Sequence, residues 1–348
     1  MAYRLQRPIR TLSKELLLRK SKALSFILYR FKWNFFPKIG FVSQYPLHVD
    51  IEVTNRCNLK CTMCIKSSEK DQGNQGDIDL SMAYHILEAI GGKVYSVKFN
   101  WRGEPLLYKN LPQLVAYAKF LGIPEVQINT NAILLDKNTS RALINAGLDR
   151  IIISIDGHSA KTYESIRVGG SYGGLLNNIH TFLQEKKFYK THSFPQEKKF
   201  HKTHFPIVRV QMCVGKENIH EKESFIRYWL SRGVQVGIIE KQDRLKEEGE
   251  KHNVSDLSFF KQCKQPWQRL TISWEGKVFP CCADWNQRSP LSWKIFPPMK
   301  SEEIRNILQL AWKEGLILNK IRKGIQTRNI KNILCSHCPS VIGKMKEK

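Results

Sequence analysis

The stretch His48–Cys64 reads HVDIEVTNRCNLKCTMC and joins a short β-rich run to three closely spaced cysteines. The run His48–Thr54 predicts a buried strand, and Cys57, Cys61 and Cys64 follow it with the spacing C-x3-C-x2-C. Three thiolates on one loop can face a single centre, but a tetrahedral zinc site needs four ligands and no fourth Cys or His lies nearby. A [4Fe–4S] cluster normally takes four cysteines as well, so three would leave one iron open to a ligand that is not protein.

Outward from this stretch, β-rich runs and helix-like stretches alternate as far as residue 240. The β-rich runs are His48–Thr54, Tyr95–Trp101, Glu125–Thr130, Arg150–Asp156, Ile207–Val214 and Val234–Ile239. The helix-like stretches are Ser81–Ile90, Asn110–Leu121, Lys137–Ala146, Leu175–Lys186 and Lys216–Arg232. This alternation predicts a parallel sheet, in which ligands bind beyond the carboxyl ends of the strands.

The segment CNLKCTMC resembles the signature of the radical S-adenosylmethionine (SAM) enzymes, in which the open iron chelates the methionine part of SAM. The family usually has an aromatic residue where this chain has Met63. The resemblance covers residues 48–340 and implies an α/β fold, a partial (β/α)6 TIM-like barrel with a small C-terminal iron–sulfur domain. It also implies reductive cleavage of SAM to a 5′-deoxyadenosyl radical that removes a hydrogen atom from the substrate.

Residues that follow the later strands match the family in the same order, although singly each acid could be a solvated loop residue and Arg167 a surface residue. In NWRGEP, Arg102 replaces the family's first glycine, and in INTNA, Ala132 replaces its last glycine. A glycine lets backbone approach a ligand, a carboxylate accepts from an amino group, and a guanidinium binds a carboxylate with two donors. The resemblance assigns SAM binding to Gly103, Glu104, Asn131, Ser154, Asp156, Arg167 and Met212. Met212 would contribute through the backbone of its strand, which would face the adenine of SAM.

A second group of cysteines lies in the last hundred residues, in CKQPW, EGKVFPCCAD and CSHC. By ligand number alone, four such thiolates suit zinc or an iron–sulfur cube. The pattern resembles the SPASM/Twitch extensions of radical SAM enzymes, which implies one auxiliary [4Fe–4S] cluster. The implied ligands are Cys263, Cys281, Cys335 and Cys338, with Cys281 preferred to Cys282 because it matches the family spacing. We expect His337 to be a turn residue and Asp284 to be either a catalytic base or a turn cap.

The chain has 348 residues and a formal net charge of +25, which favours acidic partners such as a phosphorylated substrate, nucleic acid or an anionic membrane. It contains no apolar run of about 18 residues that would span a membrane and no secretory signal pattern, so we expect a cytoplasmic protein. Nine cysteines are an odd number for a disulfide framework, which favours metal ligation. Cys213, within a predicted strand, is expected to be a free core thiol.

The domain organisation expected from the sequence is a basic amphipathic segment at 1–45, a radical SAM barrel at 46–245 and an auxiliary cluster domain at 255–348. The first segment is expected to be a helix that packs on the barrel, or one that contacts an anionic membrane or acidic partner. A tandem copy, QEKKFYKTHSFP followed by QEKKFHKTHFP within residues 184–206, is expected to be a solvated loop.

The reaction expected from the resemblance is a two-electron oxidation of a small polar substrate, such as a sugar, a cyclitol or a phosphorylated compound. Modification of a peptide is the alternative within enzymes. The alternative from another class is a zinc-stabilised protein that binds nucleic acid through its basic surface. As a radical SAM enzyme, the protein would carry two [4Fe–4S] clusters and SAM, and it would receive electrons from a donor such as flavodoxin or ferredoxin.

Overall fold

The structure, a computed structural model, describes residues 23–67, 73–192, 206–241, 263–285, 287, 289–329, 335 and 338. Its strands are β1 (His48–Ile51), β2 (Ser96–Lys98), β3 (Glu125–Thr130), β4 (Arg150–Ser154), β5 (Ile207–Val214), β6 (Gln235–Glu240), β7 (Arg269–Ile272) and β8 (Val278–Phe279). Its helices are α1 (Ala23–Ile39), α2 (Leu80–Ile90), α3 (Leu111–Phe120), α4 (Lys137–Asn145), α5 (Ala160–Ile166), α6 (Tyr172–His192), α7 (Lys222–Ser231), α8 (Ser301–Lys313) and α9 (Leu316–Gln326).

All eight of these strands form one sheet in the order β6-β5-β4-β3-β2-β1-β7-β8. Each of β1 to β6 pairs in parallel with its sequence neighbour, and helices connect them. This is the predicted partial (β/α)6 barrel. The fold-class prediction is therefore confirmed.

The two faces of β1 carry different chemistry because successive side chains of a strand alternate. Val49 and Ile51 belong to the hydrophobic core that the surrounding helices cover. His48 and Asp50 point the other way, into the barrel interior, and are buried. The interior of the barrel therefore holds polar groups that must find partners there.

Side-chain caps fix where several helices start and therefore where the site loops end. Asp79 accepts a hydrogen bond from the Met82 N–H at the start of α2, and Asp136 does the same for Thr139 at the start of α4. Such caps satisfy amide groups that have no partner within the helix.

Two predicted features differ from the structure. The first copy of the tandem repeat is not a loop: α6 continues through it to His192. Its lysines and aromatic residues extend the helical pattern that starts at Tyr172, whereas the second copy lies outside the described residues apart from Pro206. The predicted helix Lys216–Arg232 begins only at Lys222, after a short turn at Ile219–Glu221.

The C-terminal segment extends the barrel sheet. Strand β7 pairs in parallel with β1, and β8 pairs with β7 in antiparallel orientation. Leu270, Ile304 and Trp312 belong to the same hydrophobic core as the barrel strands. Residues 242–262, where the sequence places the domain boundary, lie outside the described part, so the boundaries stay a prediction.

Helix α1 packs on the barrel through Phe26 and Tyr29, which form a small core with Leu47. The Tyr29 and Tyr95 rings stack with their centroids 4.0 Å apart. None of the described helices is long and apolar enough to cross a membrane.

Candidate functional site

The three-cysteine loop begins after the carboxyl end of β1. It is held by backbone contacts to the last residue of α5 and to the residues that follow it. The Lys60 N–H donates to the Val168 carbonyl and the Thr62 N–H to the Ile166 carbonyl, both at 2.9 Å. Cys57 is exposed, Cys61 is buried and Cys64 is partly buried. These contacts bring the loop against the end of a helix that lies about a hundred residues later in the chain.

The thiols of this loop are close enough to act on one another electrostatically. Burial is the main reason why the pKa of Cys61 rises to about 11, and the charges of Cys57 and Cys64 raise it further while Arg167 lowers it. The Arg167 Nη1 lies 3.9 Å from the Cys61 sulfur. Three free thiols with a guanidinium beside them fit a cluster whose thiolates carry negative charge.

Asp156 positions the guanidinium of Arg167. The Asp156 carboxylate forms an ion pair with Arg167 at 2.6 Å and accepts a hydrogen bond from the Cys213 N–H at 2.7 Å. Ser154 ends β4 on the same side, at the carboxyl edge of the sheet. The side chain of Met212 belongs to the hydrophobic core, so only its backbone is available to a ligand.

Glu104 is buried at the ends of β2 and β3 and organises the turn around Asn131. Its carboxylate accepts hydrogen bonds from the Thr130 hydroxyl and the Asn131 N–H, both at 2.7 Å. The Asn131 amide donates to Asn58 in the cysteine loop at 2.8 Å. Burial raises the pKa of Glu104 although these hydrogen bonds lower it. The network thus joins the second and third motifs to the cysteine loop.

Gly103 permits a close approach, but its neighbour is protein backbone. A Cβ at this position would lie 2.3 Å from the Thr54 carbonyl oxygen and 2.6 Å from the Arg56 carbonyl oxygen. The glycine therefore lets the β2 loop cross the chain directly before Cys57. The prediction that it admits a ligand is not tested by this contact.

An ionic cluster in the barrel interior was missed by the sequence interpretation. We call His48, Asp50, Lys98 and Arg269 the interior ionic cluster. Asp50 binds Lys98 at 2.8 Å and both Arg269 and His48 at 3.1 Å. Burial alone would raise the pKa of Asp50, but the charges of Lys98 and Arg269 outweigh it and hold the pKa well below its usual range.

A second buried ion pair lies nearer the carboxyl end of β1. Arg102 donates two hydrogen bonds to the fully buried Glu52, at 2.7 and 2.8 Å, and its guanidinium lies over the Trp101 ring. Glu52 also accepts from the Trp274 N–H at 3.3 Å. Glu52 thus links the C-terminal segment to Arg102, which stands at the position of the family's first glycine. Arg102 in place of the family's glycine was the feature of the sequence that could have indicated this ion pair.

The five C-terminal cysteines lie close enough to act on one another electrostatically. Cys263 and Cys335 are buried, and the remaining three are partly buried. The pKa of Cys263 rises to about 12, mainly because the thiol is buried, with smaller contributions from the charges of Cys338 and Cys282. His337 lies outside the described residues. Among the described residues, no three His, Cys, Asp or Glu side chains lie close enough together to hold a single metal ion.

The neighbours Cys281 and Cys282 have different surroundings. Hydrogen bonding to Cys282 and burial raise the pKa of Cys281 well above its usual range, with further effects from Cys263 and Cys338. The Cys282 sulfur instead lies 3.7 Å from Arg269, and the hydrogen bond from Cys281 with that positive charge lowers its pKa to about 6. Both members of the pair thus lie near Cys263, and Cys282 also lies beside Arg269 of the interior ionic cluster.

Asp284 is fully buried, and its carboxylate accepts a hydrogen bond from the Ser289 N–H at 3.0 Å. Its own N–H donates to the Cys281 carbonyl. This placement favours the turn-cap interpretation of Asp284 over the catalytic one.

A partial barrel with three free cysteines after its first strand, and a cysteine-rich extension on its sheet edge, defines a class of iron–sulfur enzyme that acts on a nucleoside cofactor. Two family comparisons agree with this class. Residues 51–194 match the Radical SAM superfamily and residues 263–339 match the SPASM iron–sulfur cluster-binding domain, together more than half of the chain. The chain is a member of the radical SAM superfamily with a C-terminal SPASM domain. With this family come SAM and two [4Fe–4S] clusters as cofactors.

Curated relatives share only part of the chain. The GTP 3′,8-cyclase of Chlorobaculum tepidum is 40% identical over 121 residues, which cover 34% of this chain and 36% of that protein. The Fe-coproporphyrin III synthase of Methanosarcina barkeri is 29% identical over 133 residues, 38% of this chain and 33% of that protein. The chain therefore matches only about a third of the length of each relative.

Among solved structures, Streptococcus suis SuiB bound to its precursor peptide SuiA superimposes with a TM-score of 0.52 at 16% identity. The match covers 91% of this chain and 72% of that chain. At this identity the likeness concerns the fold alone.

Proposed function

We propose that this radical SAM enzyme oxidises a small polar substrate, sugar-like, cyclitol-like or phosphorylated, by two electrons. The observation that supports this substrate class is the charged interior of the barrel. The interior ionic cluster and the Glu52–Arg102 pair bury carboxylates and cations beside one another. These groups are paired with one another, and the polar interior that they form suits hydroxyl and phosphate groups, which can share their hydrogen bonds, better than it suits an apolar substrate. In this proposal, hydrogen bonds to these groups would orient the reacting carbon.

We propose as cofactor ligands the residues that the family resemblance implies. Cys57, Cys61 and Cys64 would hold the SAM-binding cluster, and Cys263, Cys281, Cys335 and Cys338 the auxiliary one. Glu104 would accept from the amino group of SAM and Arg167 would bind its carboxylate, with Asp156 holding the guanidinium in place. The implied SAM-binding set otherwise comprises Gly103, Asn131, Ser154 and the backbone of Met212.

When bound, the two clusters and SAM would supply one-electron chemistry: one electron from a donor such as flavodoxin or ferredoxin would cleave SAM to methionine and a 5′-deoxyadenosyl radical, which would take a hydrogen atom from the substrate carbon and become 5′-deoxyadenosine. The hydroxyl on the same carbon would lose a proton as the carbonyl double bond forms, and the remaining electron would return through the auxiliary site to the donor. The donor would then be regenerated, and SAM would be the net two-electron oxidant. A barrel covered by the C-terminal segment keeps such a radical away from water.

The first experiment measures iron, sulfide and 5′-deoxyadenosine on protein reconstituted without oxygen, with dithionite and SAM. We expect about eight irons per chain from two [4Fe–4S] clusters. Cys61→Ala should abolish SAM cleavage, and the double variant C335A/C338A should lose about four irons yet still cleave SAM. Cys213→Ala is the matched control, because this cysteine lies in β5 and belongs to neither cysteine group, and the backbone N–H that it donates to Asp156 is retained in the variant. It should keep all the iron. Zinc without iron in the purified protein would contradict the assignment and favour the alternative of a zinc-stabilised protein that binds nucleic acid.

The substrate class is tested by the rate of 5′-deoxyadenosine formation with panels of phosphosugars, cyclitols and short peptides. Stimulation by a polyhydroxyl or phosphorylated compound, with formation of a carbonyl product, is the expected result. Peptide modification is the second candidate, and stimulation by peptides alone would favour it.

A further inference from the structure

Helix α1 has two apolar faces, and the described residues cover only one of them. Its inner face carries Phe26 and Tyr29, which are buried against the barrel. Its outer face carries large apolar side chains that are between 41% and 70% exposed: Leu24, Ile27, Leu28, Phe31, Phe35 and Ile39. The Phe31 and Phe35 rings stack on this outer face with their centroids 4.9 Å apart.

These six residues form a continuous stripe. At 3.6 residues per turn their side chains fall within an arc of about 120° on the side of the helix opposite Phe26 and Trp33. A helix that is hydrophobic on all sides is normally buried on all sides. Contiguous exposed apolar patches on a folded protein mark sites that contact a partner or a membrane. The outer stripe of α1 is therefore a contact surface.

The charges around the stripe identify the kind of contact. No Asp or Glu occurs between Glu15 and Asp50, while the exposed Lys32 lies at one edge of the stripe and the exposed Lys38 lies in the last turn of the helix. Long basic side chains at the edges of an apolar stripe can reach the phosphates of a lipid surface while the stripe enters the acyl region. A second copy packed on this stripe would instead bring lysines together with no acid of the segment to neutralise them.

We propose that the outer stripe of α1 is a membrane-binding surface that docks this enzyme on an anionic lipid bilayer. The surface lies away from the cysteine loop. Helix α1 packs on Leu47 and Tyr95, directly before β1 and β2, and the Gln268 side chain donates to the Trp33 carbonyl at 2.7 Å. These contacts are at the amino ends of the strands, whereas the cysteine loop follows the carboxyl end of β1. A bilayer at this surface leaves the cysteine loop free, and the proposal does not depend on the substrate class.

Vesicle sedimentation of the full chain tests the proposal. We compare vesicles of phosphatidylcholine with vesicles in which a third of the lipid is phosphatidylglycerol. The protein should sediment with the anionic vesicles, and high salt should weaken this binding. The double variant F31S/F35S should lose about tenfold or more of the vesicle affinity, because two aromatic side chains no longer enter the lipid. Phe120→Ser, which replaces an 82% exposed phenylalanine on α3, is the matched control and should bind like the parent protein.

Circular dichroism and iron content verify that each variant is folded. Equal binding of F31S/F35S and the parent protein would overturn the proposal, as would the absence of binding to anionic vesicles. A dimer in vesicle-free buffer that F31S/F35S abolishes would assign the stripe to a second copy instead. Binding that occurs only after removal of residues 1–22 would assign it to that segment.

Discussion

Ala132 follows β3 with a φ of 59°, the left-handed region that favours glycine. The Asn178 side chain holds this turn by donating to the Ala132 and Ile133 carbonyls, at 2.9 and 3.0 Å. An L-residue in this conformation costs about 1–2 kcal/mol. Because alanine stands where the family has glycine, the backbone at Ala132, beside Asn131, is strained.

We expect Ala132→Gly to be nearly neutral, because relief of strain offsets the lost methyl group and the larger entropy of the unfolded chain. The control Ala118→Gly removes an equally buried methyl group from the ordinary helix α3. It should lower the free energy of unfolding by about 1 kcal/mol or more. Thermal unfolding of both variants checks this, and equal losses would contradict the argument.

Gly103 leads to a prediction about the first cluster. In Gly103→Ala the new Cβ must displace the backbone of residues 54–56, because it would lie within 3 Å of it, and Cys57 must shift with that backbone. We expect iron to fall from about eight to about four per chain, with loss of SAM cleavage. Gly173→Ala, where a Cβ meets nothing within 4 Å, should retain both. Full iron content in Gly103→Ala would show that the loop adapts.

At the scale of elements, Glu221 fixes the start of α5 from a distant turn. Its carboxylate accepts hydrogen bonds from the His158 and Ser159 N–H groups and from the Ser159 and Thr162 hydroxyls. Burial raises the pKa of Glu221, but these hydrogen bonds outweigh it and lower the pKa overall. A lowered pKa means that the stabilisation is present at neutral pH and is lost as the pH falls through the folded-state value.

We therefore expect Glu221→Gln to lower the free energy of unfolding by about 1 kcal/mol at pH 7. The difference from the parent protein should shrink as the pH falls below about 4, the usual range of a free carboxylate, toward the lower folded-state pKa. Urea unfolding at several pH values measures this. Glu223→Gln, on a side chain that is 70% exposed, should show no such dependence. A difference that stays constant with pH would contradict the assigned cause.

At the scale of the whole molecule, the barrel and the C-terminal segment share one hydrophobic core. Trp312 on α8 is fully buried, and its indole N–H donates to the Ser43 carbonyl at 2.8 Å. We expect Trp312→Ala to cost about 3–5 kcal/mol and to lower the unfolding temperature of the whole protein in one transition. Far-ultraviolet circular dichroism and tryptophan fluorescence should report the same midpoint. Leu310→Ala, on the exposed side of α8, is the control, and a separate early transition in Trp312→Ala would argue for two independent units.

The sequence by itself determined the strand and helix alternation and the cysteine spacing, because both are local properties. The limits of β3 and β5 agree with their predicted runs, since Glu125–Thr130 and Ile207–Val214 are dense in β-forming residues. The polar alternation of His48, Asp50 and Glu52 within an apolar strand was also visible. It is the signal that could have indicated a charged barrel interior.

Only the tertiary structure decided which charges meet. Asp50 and Arg269 are far apart in the chain and become partners because β7 pairs with β1 in a fixed register. The same pairing places Cys282 beside Arg269. Gly103 lies against the backbone before Cys57 because the loops that follow β1 and β2 cross each other. The two faces of α1 likewise differ only by which one the barrel covers. Distances across a sheet depend on strand order and register, and local sequence patterns do not encode either.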